Sequence, residues 1–248
     1  MSADNRTGVL ILTAISEELD LDAILRRADR IHYQWRGAVS ARIGSTDVVI
    51  AATGDGAKNA AERAAAFCES ARPRAVVGAG IAGALSPGLG IGAIVAASRV
   101  RDSSGDAPAP DARLLSRAVA AGAAAGTLLT VATPITAAAE KSRLAATLEG
   151  PSAVDMESAA WARVAAARGI PYGVVRSISD RADEDLPDYL ASCIGEDGAI
   201  RRGAVVARAL ARPTRIPELI RMRRRVLDCG KALSHFLERF LGDGIETP

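Results

Sequence analysis

Two short runs carry the carboxylates best placed to do chemistry. They are Val154-Asp155-Met156-Glu157-Ser158-Ala159-Ala160 and Arg176-Ser177-Ile178-Ser179-Asp180. Each sets acidic side chains where a strand ends or a helix begins. Strand ends aim their side chains into the crevice where open α/β sheets bind ligands. Glu17-Glu18, after the first apolar run, adds a third acidic position. No His or Cys stands near them at metal-ligand spacing, so no metal site is expected. The pattern suits proton transfer and hydroxyl binding on a polar small molecule.

These positions need elements to hold them. Gly8 to Thr13 reads as a buried strand, and Ser16 is placed to cap a helix opening at Glu17-Glu18. Val39 to Ile43 and Val48 to Ala52 read as a hairpin joined at Gly44-Ser45-Thr46-Asp47. Lys58 to Ala71 is an Ala-rich helix closed by Pro73. Arg74 to Val77, Gly92 to Ser98, Leu128 to Ala132 and Tyr172 to Ile178 read as further strands. Leu114 to Ala125 and Met156 to Arg168 read as helices, the second ended by Gly169 and Pro171. Strands alternating with helices predict an α/β fold, a mainly parallel or mixed β-sheet flanked by α-helices. Ser103 to Asp111 is the clearest surface loop.

Composition narrows the class. Apolar residues make up 49% of the 248 positions but aromatics only 3%, so the core must be built of Ala, Val, Ile and Leu. A net charge of +2 is too balanced for a nucleic-acid partner over the whole surface. Cys68, Cys193 and Cys229 are far apart and odd in number, which predicts reduced thiols and a cytoplasmic setting. Asp4 and Arg6 precede a short strand and not a signal-peptide core, and no apolar stretch reaches membrane-spanning length. Residues 1–211 read as the main unit, and residues 212–248 as a basic, amphipathic helical extension of it. In that extension Leu219, Ile220, Val226, Leu227, Leu233, Phe236, Leu237, Phe240 and Leu241 recur at roughly helical spacing. Two roles fit: packing on the domain, or peripheral contact with an anionic lipid surface such as the inner membrane.

Some residues have a plainer expectation. Asp155 is expected to face solvent beside its motif. Asp183, Glu184, Asp185 and Asp188 read as a solvated acidic loop, and His32 and His235 as surface or packing residues. Gly78-Ala79-Gly80-Ile81-Ala82-Gly83 fits the G-x-G-x-x-G pattern of dinucleotide-binding turns. The Ser86-Pro87-Gly88-Leu89-Gly90 stretch that follows opposes the helix such a site requires. These glycines are expected to let backbone approach a ligand, or to form a tight turn.

The chain resembles the nucleoside phosphorylase and nucleosidase superfamily, especially methylthioadenosine/S-adenosylhomocysteine nucleosidases. Thr13 to Glu18 looks like that family's first strand-to-helix junction, Thr53 to Lys58 its glycine turn, and Gly78 to Leu85 its central glycine strand end. Val154 to Ala160 resembles its ribose-binding motif, and Ser177 to Asp183 its catalytic-aspartate signature. The resemblance implies a nucleoside phosphorylase-like twisted mixed sheet, a homodimer or hexamer, and cleavage of an N-glycosidic bond in a nucleoside without metal or organic cofactor. It further implies that Asp180 protonates the departing purine and Glu157 binds the ribose hydroxyls. Met156 packs on the sugar, Glu18 orients or activates water, and Ser179 helps hold the Asp180 loop. Arg176 is either the orienting partner of Asp180 or part of a structural ion pair. Glu17 or Glu18 faces the pocket.

Phosphorylases in the superfamily carry an arginine at the central strand. Here Val76 to Gly83 has none, and Glu17-Glu18 would repel phosphate. Water is the expected nucleophile, with inorganic phosphate as co-substrate in the alternative. Ile81, beside Ala82, adds apolar character at the sugar, and the base-stacking segment around Ile135 has no aromatic. The short loop before Leu114 leaves the 5′ end open to a bulky group. With the basic C-terminus, this is similar to the hopanoid-associated phosphorylase subgroup, which implies adenosylhopane, a lipid-linked adenosine, as substrate. Rival classes are a non-catalytic nucleoside-binding module and a peripheral membrane protein.

Overall fold

The computed structural model describes residues 7–14, 18–20, 28–34, 38–43, 45–195, 201–211 and 213–242. Among the described residues ten strands occur in chain order: β1 (Thr7–Thr13), β2 (Ala28–Gln34), β3 (Ala38–Ile43), β4 (Thr46–Ala52), β5 (Pro73–Ala84), β6 (Ile94–Asp102), β7 (Gly105–Asp106), β8 (Ala124–Thr130), β9 (Ser152–Asp155) and β10 (Tyr172–Asp180). Six α-helices of the described residues accompany them: α1 (Ala57–Ala71), α2 (Ala112–Ala120), α3 (Ala138–Ala145), α4 (Ser158–Ala166), α5 (Arg202–Leu210) and α6 (Ile216–Gly242).

The strands form one mixed sheet in the order β10-β6-β8-β9-β5-β1-β4-β3-β2, with β7 paired to β6. β10 also pairs with β5, so β5, β10, β6, β8 and β9 close into a ring from which β1, β4, β3 and β2 extend. The closure turns on β5. On one edge it runs parallel to β10 from Val76 to Gly83. On the other edge it pairs with β1 up to Gly78, then with β9 from Gly83. Between those points β5 changes partners, and the crevice at such a change is where open α/β sheets take ligands.

Helices cover both faces of the sheet. Leu10 and Leu12 of β1 join one apolar cluster with Phe67 and Cys68 of α1 and Trp161 of α4. Val9 and Ile11 point the other way, into a cluster with Leu114 of α2 and Leu233, Phe236, Leu237, Phe240 and Leu241 of α6. A strand buried on both faces reads as a continuous apolar run, which is why GVLILT shows no alternation. The apolar stripe of the C-terminal helix is therefore packed on the sheet. Ile220 (51% exposed) and Leu227 (45% exposed) remain outside, among exposed Arg221, Arg223 and Arg224. Among the described residues no helix is long and apolar enough to cross a membrane.

Several expected boundaries move. The helix expected from Met156 starts at Ser158, because the preceding residues form β9, a strand the sequence reading did not contain. The helix expected to reach Ala125 ends at Ala120, and Ala124 already belongs to β8. β2, α3 and α5 were also absent from that reading. The Ser16 cap lies outside the described residues.

Phe240 stacks on Phe236 with ring centroids 5.8 Å apart and is 1% exposed. Phe240→Ala is expected to lower unfolding stability by about 3–5 kcal/mol. Ile220→Ala, at the exposed end of the same helix, is expected to change it by under about 1 kcal/mol. Urea denaturation of the two variants checks this; a Phe240→Ala protein as stable as the parent would show that α6 is not part of the core.

Candidate active site

At the partner change of β5, three glycines receive side chains from neighbouring elements. A Cβ on Gly78 would lie 2.5 Å from the Trp161 ring. One on Gly80 would collide with Nη1 of Arg176 and stand 3.0 Å from Glu18. One on Gly83 would lie 2.8 Å from Oδ2 of Asp180. The expectation of a tight turn is corrected: none of the three has positive φ, and all lie inside a strand. The expectation that ligand approaches this backbone is also replaced, since protein side chains fill the space. The glycine pattern records the close passage of Trp161, Arg176, Glu18 and Asp180.

Arg176 is completely buried. Its Nη2 lies 2.5 Å from Oδ2 of Asp155 and 3.8 Å from Oε2 of Glu157. Nη2 and Nε donate to Ser158 Oγ at 2.9 and 3.3 Å, and the guanidinium sits 4.8 Å from the Trp161 ring centroid. Burial works against its charge, yet Asp155, Glu157 and Glu18 together hold its pKa above the ordinary value. Of the two roles open to Arg176, the structure supplies the ion pair, and its partner is Asp155. The solvent-facing expectation for Asp155 is corrected: it is buried, accepts from Thr130 Oγ1 at 2.8 Å, and is bonded by the Ser158 hydroxyl. Among the described residues Arg176 Nη1 has no hydrogen-bond partner. A buried N–H without a partner costs about 1–3 kcal/mol, more for a charged group, and calls for a ligand or water.

Glu18 lies beside that nitrogen over Gly80, and Glu157 lies nearest Nη2. Oε2 of Glu18 accepts from Thr13 Oγ1 at 2.7 Å and from Ala14 N at 3.0 Å; Oε1 accepts from Ile81 N at 3.2 Å. Glu18 is therefore fastened across β1 and β5, while Glu17 lies outside the described residues. Glu157 Oε1 accepts from Gly56 N at 3.0 Å, at the start of α1. Gly56 has φ 83°, a conformation that favours glycine, and this turns its N–H toward the site. Burial pushes the Glu157 pKa up to about 8, with the Asp155 and Glu18 carboxylates adding to the rise against the pull of Arg176 and the Gly56 N–H.

Asp180 stands four residues further along β10, about 13 Å at roughly 3.3 Å per residue, and a bulge after Ile178 turns it toward Gly83. Ser179 Oγ lies 2.7 Å from Oδ1 of Asp180 and 3.2 Å from the Ala82 carbonyl. Lys141 of α3, fully buried, donates to Oδ2 at 2.5 Å. Lys141 was missed because α3 was missed. Its signal was a lone lysine on a helix face with Ala138 and Ala145, and such a lysine needs a buried partner.

The other anticipated residues are spread around this crevice. Ile81 contributes backbone to Glu18, and Ala82 contributes a carbonyl to Ser179. Met156 is half-buried between Asp155 and Glu157. Ile135 is half-buried in the segment before α3, beside Thr136, whose carbonyl accepts from Leu186 N at 2.7 Å. The acidic loop is more than a solvated run, since Asp185 caps Ala138 N of α3 at 2.7 Å. Among the described residues no group of His, Cys, Asp and Glu is arranged to hold a metal ion.

Chemically, the arrangement has two poles. One is the Asp180 carboxyl, bonded to Ser179 and Lys141. The other is a patch of three carboxyl groups around one guanidinium, suited to hydroxyl groups and water.

The phosphorylase superfamily model matches residues 9–212. The chain is 29% identical over 172 residues to 5′-methylthioadenosine/S-adenosylhomocysteine nucleosidase of Shewanella halifaxensis, covering 60% of this chain and 75% of that one. Its fold is shared with the corresponding nucleosidase of Campylobacter jejuni, with a TM-score of 0.72, 19% identity and coverage of 96% and 99%. A futalosine hydrolase mutant from Helicobacter pylori has the same fold, with a TM-score of 0.70, 18% identity and coverage of 96% and 99%. With the family model spanning β1 through α5 and the fold reproduced along nearly the whole chain, this protein belongs to the phosphorylase superfamily.

Proposed function

We propose that the protein hydrolyses the N-glycosidic bond of a 5′-modified adenosine and releases adenine. The single observation that carries this is the buried Arg176 Nη1, which has no hydrogen-bond partner among the described residues and lies beside Glu18 over Gly80. A free donor next to a carboxylate is what a ribose hydroxyl or a water needs. Glu157 takes the ribose hydroxyls. Water is held between Glu18 and Arg176 and attacks C1′, giving its proton to Glu18. The electrons of the C1′–N bond go to the purine, which takes a proton from Asp180. Positive charge developing on the sugar lies near carboxylates, and negative charge on the base lies near an acid.

Water is favoured over phosphate by charge. Asp155, Glu157 and Glu18 surround the one guanidinium that enters the site among the described residues, and a phosphate dianion there meets like charge. The relatives' nucleosidase names support the same reading. For the 5′ group, the finer proposal is a bulky, lipid-like substituent such as that of adenosylhopane. It rests on the resemblance to the hopanoid-associated subgroup and not on α6, whose apolar residues from Leu233 to Leu241 are buried against the sheet.

The test is adenine release from adenosine, methylthioadenosine, S-adenosylhomocysteine and a long-chain 5′-alkyl adenosine, with and without phosphate. Release independent of phosphate is expected, and Asp180→Asn is expected to lower kcat by about 10²–10⁴-fold. Release that requires phosphate would overturn the hydrolase assignment.

The raised pKa of Glu157 gives a second prediction. A carboxyl protonated in the folded state up to about 8, but only up to its ordinary value of 4.5 when unfolded, takes up a proton on folding between those limits. Stability then falls as pH rises through that window. Glu157→Gln is expected to remove this slope, so its Tm advantage over the parent grows from pH 5 to pH 8. Hydroxyl donors favour the ionised carboxylate, so KM for ribonucleosides is expected to fall toward pH 8 in the parent and to stay flat in Glu157→Gln. Thermal melts and initial rates across that range check both; parallel pH profiles for the two proteins would refute the assignment.

A further inference from the structure

We propose that Lys141 is the positioning residue for proton delivery, and that it acts through Asp180; this rests on the nucleosidase reading above. An ammonium with no exposed surface must spend its donors on fixed partners. Lys141 has three donors and three partners: Asp180 Oδ2 at 2.5 Å, the Arg181 carbonyl at 2.9 Å and the Glu184 carbonyl at 2.9 Å. Two of these belong to the loop that follows Asp180, so the ammonium is tied to the backbone as well as to the Asp180 side chain. The loop is tied back to α3 in turn, through Asp185 on Ala138 N and Leu186 N on the Thr136 carbonyl.

The arrangement distinguishes the two oxygens of Asp180. Oδ2 is enclosed by Lys141 on one side and the Gly83 backbone on the other. Among the described residues the hydrogen-bond partner of Oδ1 is the hydroxyl of Ser179, a group that rotates and both donates and accepts. The proton leaves from Oδ1, and the purine accepts it with the electron pair of the broken glycosidic bond. Asp180 is then a carboxylate whose charge finds the Lys141 ammonium already in place. A cation fixed there favours the product side of the transfer, and this separates Lys141 from a residue that only staples the loop.

A cavity of about 510 Å³ lined by Leu85, Leu89, Ala138, Ser142, Ala145 and Arg181 lies against α3. Ala138, Lys141, Ser142 and Ala145 share one helix face by their spacing. Shortening Lys141 therefore opens a path by which a small alkylammonium ion can reach Asp180.

The experiment compares two leaving groups carrying the same 5′ substituent. Adenine needs a proton to depart, while p-nitrophenolate of the matching riboside does not. Lys141→Met is expected to lower kcat for adenine release by about 100-fold with KM held within about threefold, and to leave p-nitrophenolate release within about fivefold of the parent. Lys141→Ala is expected to lose adenine release and to regain part of it with added propylammonium. Lys141→Gln, which keeps two donors for the loop carbonyls without the charge, replaces Lys141→Met if that protein does not fold, with the same selective loss expected. Equal loss on both leaving groups, or no loss on either, would overturn the proposal. A parent protein that releases p-nitrophenolate or adenine from nothing offered would instead sink the nucleosidase reading, and the role of Lys141 with it.

Discussion

The structure depends on a charge with no access to water. The Arg176 guanidinium sits inside the strand ring, and removing it from solvent costs several kcal/mol unless its surroundings repay the loss. Asp155 supplies the opposite charge, Ser158 a hydroxyl and Trp161 a ring face. Each of these has its own restraint: Thr130 on Asp155, and Thr53 accepting from the Trp161 Nε1 at 3.3 Å. Gly80 must lack a side chain because Nη1 occupies that volume. Residues of β5, β8, β9, β10 and α4, and Thr53 just after β4, are thus constrained by one buried cation.

That cation also explains the protonation of its neighbours. One guanidinium cannot balance three buried carboxylates, and Asp155, bonded most directly, takes the larger share. Glu157, 3.8 Å away and fully desolvated, is the group left to hold a proton. A substrate bringing two hydroxyl donors supplies the interactions that a second cation would otherwise have given. In the proposed reaction ribose binding and carboxyl ionisation are one event, and a buried Nη1 without a partner among the described residues calls for a ligand or water.

The other pole is built on the same strand by different means. Asp180 faces Gly83 after a bulge has broken the regular alternation of β10, and Lys141 meets it from a helix that belongs to neither β5 nor β10. The two poles share the β5–β10 pairing as a common ruler. The acid and the hydroxyl-binding patch are consequently fixed relative to each other by backbone hydrogen bonds, which is the rigidity that positioning a bond between base and sugar requires.

Much of this was legible in the chain before any coordinates. The alternation of strands and helices declared an α/β sheet. The residue types in the Val154–Ala160 and Arg176–Asp180 runs declared carboxylate chemistry, because strand ends and helix starts are local signals. Short-range pattern also located α1, the β3–β4 hairpin and the amphipathic C-terminal helix. What it could not reach was the identity of partners. Asp155 looked like a solvent residue because its burial is made by Arg176, a strand away and closed onto it only by the ring. The glycines of β5 looked like a turn because the side chains that need their space come from α4, β1 and β10. The apolar stripe of α6 suited a membrane as well as a sheet, since amphipathicity names a face and not what covers it. Lys141 gave no sign of its partner, because a lysine in a short Ala-rich helix is ordinarily solvated. The sequence by itself determined which groups could do chemistry and in what order they occur. The tertiary structure alone decided which of them are desolvated together, because burial and charge pairing are set by contacts between segments far apart along the chain.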